Sequence, residues 1–326
     1  MPLQKYGVLR GTAIRGLRGT GRNPHYQIHV VDDQDQWRIA VNVLSQEHPS
    51  EVEYLVDDDF QHPLTDELAS SPRGFRTLPS QAGGVALDYI RGNLFDRQRM
   101  RALPPDVSGP DNDLNEKVGA WVERAVADEE AEVYAFGQRW GPENERDKVF
   151  GFLPGNGIHD IHMNQGNVER FVRDDGVWQD GGLLFHFPGE GRWVGVFLRF
   201  QSQSWHTDDR TGHRIDDVLP DLRLRIVAAL VNPIGPAPEA EHVIVLNTTP
   251  AAVDLGGWSL ANKDKRRMTL DGTIGPGQTT TFAMSAEVPL SNKGGTITLL
   301  DANGLKVHGV AYTAALASAE GTTIVF

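Results

Sequence analysis

Three short stretches of the 326-residue chain set histidine beside amide and carboxylate side chains. The first is His25-Tyr26-Gln27-Ile28-His29. On a strand, alternate residues share a face, so His25, Gln27 and His29 would line one surface while Tyr26, Ile28 and Val30 pack behind it. The second is the run from Pro154 to Asn167, which carries His159, Asp160, His162, Asn164 and Gln165 among glycines that allow close approach to a ligand. His159 and His162 would share one side of a helical turn but point to opposite faces of a strand. Asp160 is placed to fix a histidine tautomer. The third is Arg199-Phe200-Gln201-Ser202-Gln203-Ser204-Trp205-His206-Thr207-Asp208-Asp209. There Gln201 and Gln203 share a strand face and suit phosphate, sugar or base edges, and His206 with Asp208 or Asp209 could ligate a metal or form an acid/base pair. Each stretch also has a plainer reading as a loop, strand edge or turn that satisfies its own backbone. The same holds for Asp57-Asp58-Asp59, which reads first as a solvated turn and second as an oxygen-rich cation site.

Two imidazoles, one neutral and one protonated, suit phosphodiester cleavage near neutral pH, one taking a proton from the nucleophile and the other protonating the leaving oxygen. Two segments support such a pairing. One runs Gln27-Ile28-His29-Val30, then Trp37, to Ser45-Gln46; the other runs Asp160-Ile161-His162-Met163, then Trp193, to Ser202-Gln203. If these are copies, His29 and His162 face each other across a cleft and form the acid/base pair, with His159 beside them. The substrate would lie against His25, Gln27, Asn164, Gln165, Gln201, Gln203 and Arg199, with Arg22 or Lys148 also able to neutralise a phosphate. A metal-assisted variant would use a divalent cation on His159, His162, His206 and Asp208. The chain contains no Gly-x-x-x-x-Gly-Lys-Ser/Thr, no Gly-x-Gly-x-x-Gly after a strand, no His-Glu-x-x-His and no Gly-x-Ser-x-Gly. P-loop hydrolysis, dinucleotide redox chemistry, zincin proteolysis and α/β-hydrolase chemistry are therefore poorly supported.

The elements that must position these residues are mostly strands. Gly 35 and Pro 19 favour turns over long helices. Strand-like runs fall at 26–31, 38–44, 133–136, 183–187 and 193–200. One helix is predicted from Leu114 to about Glu130, capped within Asp111-Asn112-Asp113, with Leu114, Val118, Trp121, Val122, Ala125 and Val126 at helical spacing. The Pro/Gly stretch Val231 to Pro238 reads as a linker, which gives a β-rich α+β domain over 1–230, a linker over 231–238 and a second domain over 239–326. The net charge of −13 argues against a surface that binds nucleic acid everywhere, and a local basic groove is compatible with it. No cysteine is present, so disulfides and thiolate sites are excluded. No apolar run is long enough to span a membrane and no leader peptide opens the chain, which points to the cytoplasm, with export by another route left open.

After the linker, Val243-Ile244-Val245-Leu246-Asn247, Asp254-Leu255-Gly256-Gly257-Trp258-Ser259-Leu260 and Leu299-Leu300-Asp301-Ala302-Asn303-Gly304 resemble the lamin tail domain. That resemblance implies an immunoglobulin-like β-sandwich, a module often appended to hydrolases and nucleases. Over nearly its whole length the first domain resembles the YukJ-like family of uncharacterised bacterial proteins. The residues that carry this include Tyr6-Gly7-Val8-Leu9, Leu55-Val56-Asp57-Asp58-Asp59-Phe60, Asp88-Tyr89-Ile90-Arg91-Gly92-Asn93 and Gly157 through Gly166. No established activity comes with it. The histidine pair is also faintly similar to the two-histidine phosphoesterases, but Val31 and Asn164 stand where that motif has Ser or Thr.

The leading expectation is thus a hydrolase of phosphodiesters, including nucleic acid, working with paired histidines. The alternative is a non-catalytic binding or adaptor module whose sandwich docks on a protein partner or surface.

Overall fold

The computed structural model describes residues 6–44, 52–78, 94, 99–103, 106–110, 112–160, 181–200, 223–235, 240–264, 266–302 and 306–326. The chain forms two units, the first holding the strands up to Phe200 and the second those from Leu224 onward. Among the described residues, no helix is long and apolar enough to cross a membrane.

The first unit contains β1 (Tyr6–Leu17), β2 (His25–Val31), β3 (Gln36–Asn42), β4 (Val52–Asp57), β5 (Gly74–Thr77), β6 (Arg101–Ala102), β7 (Glu132–Glu143), β8 (Gly155–His159), β9 (Gly181–Phe187) and β10 (Arg192–Phe200). Five of these close into a ring in the order β1-β2-β3-β8-β7, with β7 returning to β1. Only β3–β8 is parallel among the ring pairs. The length of β1 makes closure possible: Tyr6 to Gly11 pair with β7 and Thr12 to Leu17 pair with β2, with an irregularity between Ala13 and Arg15. Outside the ring the sheet continues from β7 through β9, β10, β4 and β6.

Alternation decides what fills the ring. Ile28, Val30, Trp37, Ile39, Val41, Val133, Ala135 and Ile158 are buried together in one core, while the intervening residues of β2 and β3 face outward. The helix Leu114–Ala127 lies in sequence between the third and fourth ring strands and adds Leu114, Val118, Val122 and Ala125 to that core. Asp113 caps it, accepting from the N–H groups of Asn115 and Glu116. It ends three residues short of the predicted Glu130, where Asp128 turns extended and its carbonyl accepts from Ala131 N–H.

Trp37 opens β3 inside the ring, whereas Trp193 lies in β10, outside it. The proposed duplication therefore finds no equivalent pair of strands among the described residues.

The second unit holds β11 (Leu224–Leu230), β12 (His242–Asn247), β13 (Val253–Asp254), β14 (Ser259–Ala261), β15 (Arg267–Thr269), β16 (Thr273–Ile274), β17 (Thr279–Ala283), β18 (Gly294–Leu300), β19 (Lys306–Thr313) and β20 (Ile324–Val325). They form one sheet ordered β17-β12-β11-β20, another ordered β15-β14-β18-β19, and the pair β13-β16. Leu224, Ile226, Val243 and Val245 of the first sheet share a core with Leu260, Ile297 and Leu299 of the second and with Trp258. Buried His308 on β19 accepts the Ile226 N–H at Nδ1, tying the second sheet to the first. The boundary differs from the sequence expectation. β11 pairs antiparallel with β12, Leu230 opposite His242, so the Pro/Gly stretch joins two strands of one sheet and the division falls before β11.

Candidate functional site

Strand register places His25 beside Asn42, Gln27 beside Ala40 and His29 beside Arg38 on the outer face of β2 and β3. The parallel pair carries this face onto β8, Arg38 beside Gly157 and Ala40 beside His159, and β7 adds Gln138 and Trp140. Residue 157 must be glycine: a Cβ there would stand 2.0 Å from the Arg38 carbonyl oxygen and 2.1 Å from the Trp140 ring.

Arg38 anchors the centre. Its Nε donates to Asp147 Oδ2 at 2.7 Å and its Nη1 to Gln27 Oε1 at 2.8 Å. Both members of the ion pair are buried, at 8% and 1% side-chain exposure. Asp147 Oδ1 also accepts the N–H groups of Val149 and Phe150, which folds the loop 144–154 onto the sheet. Burial alone would raise the Asp147 carboxyl, but the Phe150 N–H and the Arg38 guanidinium hold it below its ordinary value. The guanidinium lies over the Trp140 ring, 4.6 Å from its centre.

Aromatic groups cluster on either side of Arg38. Toward the β2–β3 turn, the His29 ring stacks with Phe150 and Phe152, with centres 5.1 and 5.2 Å away, and its Nε2 meets Gln36 Oε1 at 3.0 Å. Arg15 covers Phe150 at 4.9 Å. Burial lowers the His29 pKa. Toward the start of β2, His25 meets His159 edge-on at 5.1 Å, and His159 meets Trp140 edge-on at 5.2 Å. Burial, helped by Arg38 and Lys148, brings the His25 pKa down to about 4. Both β2 imidazoles are therefore shifted toward the neutral form.

This has a measurable consequence. A histidine whose folded pKa lies below its unfolded value of about 6.5 makes the unfolded chain bind more protons, so stability falls as pH drops from about 6.5 to about 4. His25→Gln should remove up to about 3 kcal/mol of that acid loss. Urea unfolding at pH 7 and pH 4.5 reads the change; an unaltered difference between the two pH values would reject it.

The expected site residues thus separate into groups. His25, Gln27, His29 and His159 share one face. Buried Asp160 closes its end: its carboxylate accepts the Asn42 N–H, and its own N–H donates to the Ala40 carbonyl. Arg199 is opposite Glu53 in β10, outside the ring. His162, Asn164, Gln165, Gln201, Gln203, His206 and Asp208 lie outside the described residues, and with them most of the proposed metal set. Asp57 pairs with Arg99 and accepts the Asp59 N–H, in keeping with a turn. Among the described residues, Asp106, Asp113 and Glu116 bring ligand oxygens within 4.8 Å of one another, but Asp113 is the helix cap.

Arg38, Asp147, Trp140, Phe150, Phe152 and Arg15 escaped the sequence reading. One signal was available: residues 1–31 contain Lys5, Arg10, Arg15, Arg18 and Arg22 and no acid, in a chain of net −13. Arg15 and exposed Arg22 form no ion pair among the described residues, whereas Arg10 and Arg18 pair with Glu132 and Glu116. The connection bearing Arg22 is held by Asn115, whose side-chain amide bonds both N–H and carbonyl of Gly19.

The family described as "Uncharacterized conserved protein (DUF2278)" matches residues 1–212. "Uncharacterized protein YukJ" of Bacillus subtilis (strain 168) is 45% identical over 213 residues, 64% of this chain and 93% of that protein. The family match takes in every ring strand.

Proposed function

The chain belongs to the DUF2278 family of uncharacterized conserved proteins, and from that premise we propose that its first unit binds single-stranded nucleic acid on the β2–β3 face of the barrel. The observation that carries this reading is the composition of that face: neutral imidazoles, aromatic rings and uncompensated cations around a barrel with a telling strand order. A five-stranded Greek-key ring with one parallel pair, and a helix between its third and fourth strands, has the connectivity of the oligonucleotide/oligosaccharide-binding barrel. Barrels of that kind take ligands on their second and third strands and on the loops between strands 1 and 2 and strands 4 and 5. Here those loops are 18–24, with Arg18 and Arg22, and 144–154, with Lys148 and Phe150. This part of the argument is analogy of fold. The chemistry on the face supplies the rest: rings offer stacking platforms to bases and arginines meet phosphates.

Fluorescence anisotropy with a labelled single-stranded oligonucleotide tests the proposal. Binding should weaken with salt, and Arg15→Ala and Arg22→Ala should each reduce the slope of log K against log salt by about 0.7. An unchanged slope in both variants would remove these cations from the interface. The oligonucleotide should also be recovered intact. Fragments that vanish with His29→Ala and His162→Ala would instead favour the hydrolytic reading, in which those two act as base and acid.

The second unit is read as a lamin-tail-like, immunoglobulin-like sandwich that docks on a partner. The support is its Asp254-Leu255-Gly256-Gly257-Trp258 turn and the single core its two sheets share.

A further inference from the structure

We infer that the His25 end of this face carries a subsite selective for bases with an exocyclic amino group, a conclusion that rests on the reading of the face as a single-strand binder. Two side-chain oxygens point to it. Asn42 Oδ1 and Gln138 Oε1 are buried and have no hydrogen-bond partner among the described residues. They belong to one surface: Asn42 is the cross-strand neighbour of His25, Gln138 is the neighbour of His159, and the His25 and His159 rings touch. A buried carbonyl left unpaired costs about 1–3 kcal/mol, and native proteins seldom keep one without a role. Two such carbonyls beside one pair of touching rings are an unfilled demand for N–H donors.

Asn42, Gln138, His25, His159 and Trp140 are each only partly buried, so the side chains that cover the two oxygens border solvent, and a base would reach the oxygens by displacing them. The rings of His25, His159 and Trp140 stand edge-on to one another at 5.1 and 5.2 Å, presenting apolar walls to a flat ligand. Cytosine, adenine and guanine each offer an amino group with two hydrogens. Uracil and thymine present a carbonyl at the corresponding edge, and against two protein carbonyls that dipole is repelled. The discrimination is of the kind in which a site built to hydrogen-bond one group rejects the analogue that lacks it.

The test compares oligo(dC) with oligo(dU) of equal length at one salt concentration, because the two bases differ at the amino/carbonyl position while stacking area and backbone are alike. Oligo(dC) should bind about tenfold more tightly. Asn42→Leu and Gln138→Met should each shrink that ratio, weakening oligo(dC) by removing an acceptor and relieving the repulsion that opposes oligo(dU). Gln138→Glu, which retains an acceptor oxygen, should keep the ratio even if both affinities fall. Equal binding of the two oligonucleotides by the unaltered protein overturns the subsite and leaves the single-strand proposal standing. Tighter binding of oligo(dU) also overturns it, since the amides would then be presenting N–H. Binding of neither overturns the subsite together with the reading beneath it. The comparison on the unaltered chain decides the matter even if a variant fails to fold.

Discussion

Glu132→Ala lowers the stability of the first unit by about 3–5 kcal/mol, the range for removing one partner of a buried ionic network. Glu132 opens β7 and collects four donors: Arg10 Nε at 2.9 Å and Nη2 at 2.7 Å, Arg73 Nη1 at 3.2 Å and the Tyr134 hydroxyl at 2.9 Å. Its side chain is 12% exposed and that of Arg10 17%. Arg73 continues the network to Asp33, to Thr12 Oγ1 and to the Val31 carbonyl. One carboxylate thus holds the seam where β7 closes on β1 and steadies the turn between β2 and β3. Burial would raise its pKa, but the His186 ring 4.0 Å away and the hydrogen bonds from Arg10 and Tyr134 bring it down to about 2. A carboxyl whose folded pKa is depressed stabilises fully above its unfolded value of about 4.5, and the contribution is lost as pH falls toward about 2. Urea unfolding of the wild type and of Glu132→Gln at pH 7, 4 and 3 should therefore show the gap between them narrowing with acid. A gap that stays constant over that range would contradict the network's charge dependence.

Asp147→Ala comes second, with a loss also of about 3–5 kcal/mol, because it leaves the Arg38 guanidinium buried against Gln27 and Trp140 without its counter-charge. It also removes the acceptor that holds the loop through Val149 and Phe150. The double variant Arg38→Met, Asp147→Ala should recover a large part of the loss, since replacing both partners avoids the unpaired buried charge. A double-mutant cycle reads this directly. Simple additivity of the two single losses would show that Arg38 and Asp147 do not act as a pair.

Much of the fold could be read from local pattern. The strand runs, the capped helix and the hairpin from β18 to β19 follow from alternation, Asp113 and turn residues. The one-faced array of His25, Gln27 and His29 followed from the same period. Ring closure could not be read, because it depends on β1 pairing with both β2 and β7 across more than a hundred residues. The Pro/Gly stretch misled because composition marks a break in regular structure without saying whether its flanking strands share a sheet. Arg38 passed unnoticed for a related reason. In sequence it is one arginine in a strand; its partner, Asp147, lies 109 positions away and only register brings the two together. Trp140 and Phe150 passed unnoticed too, because whether an aromatic packs inside a ring or lines its outer face is decided by closure.

Hydrogen exchange of the full chain with and without a short single-stranded oligonucleotide tests the central claim most directly. Slowed exchange confined to residues 15–42 and 138–159 is the result the barrel-face assignment predicts. Saturable binding with protection elsewhere, for instance only within β11 to β20, would contradict it.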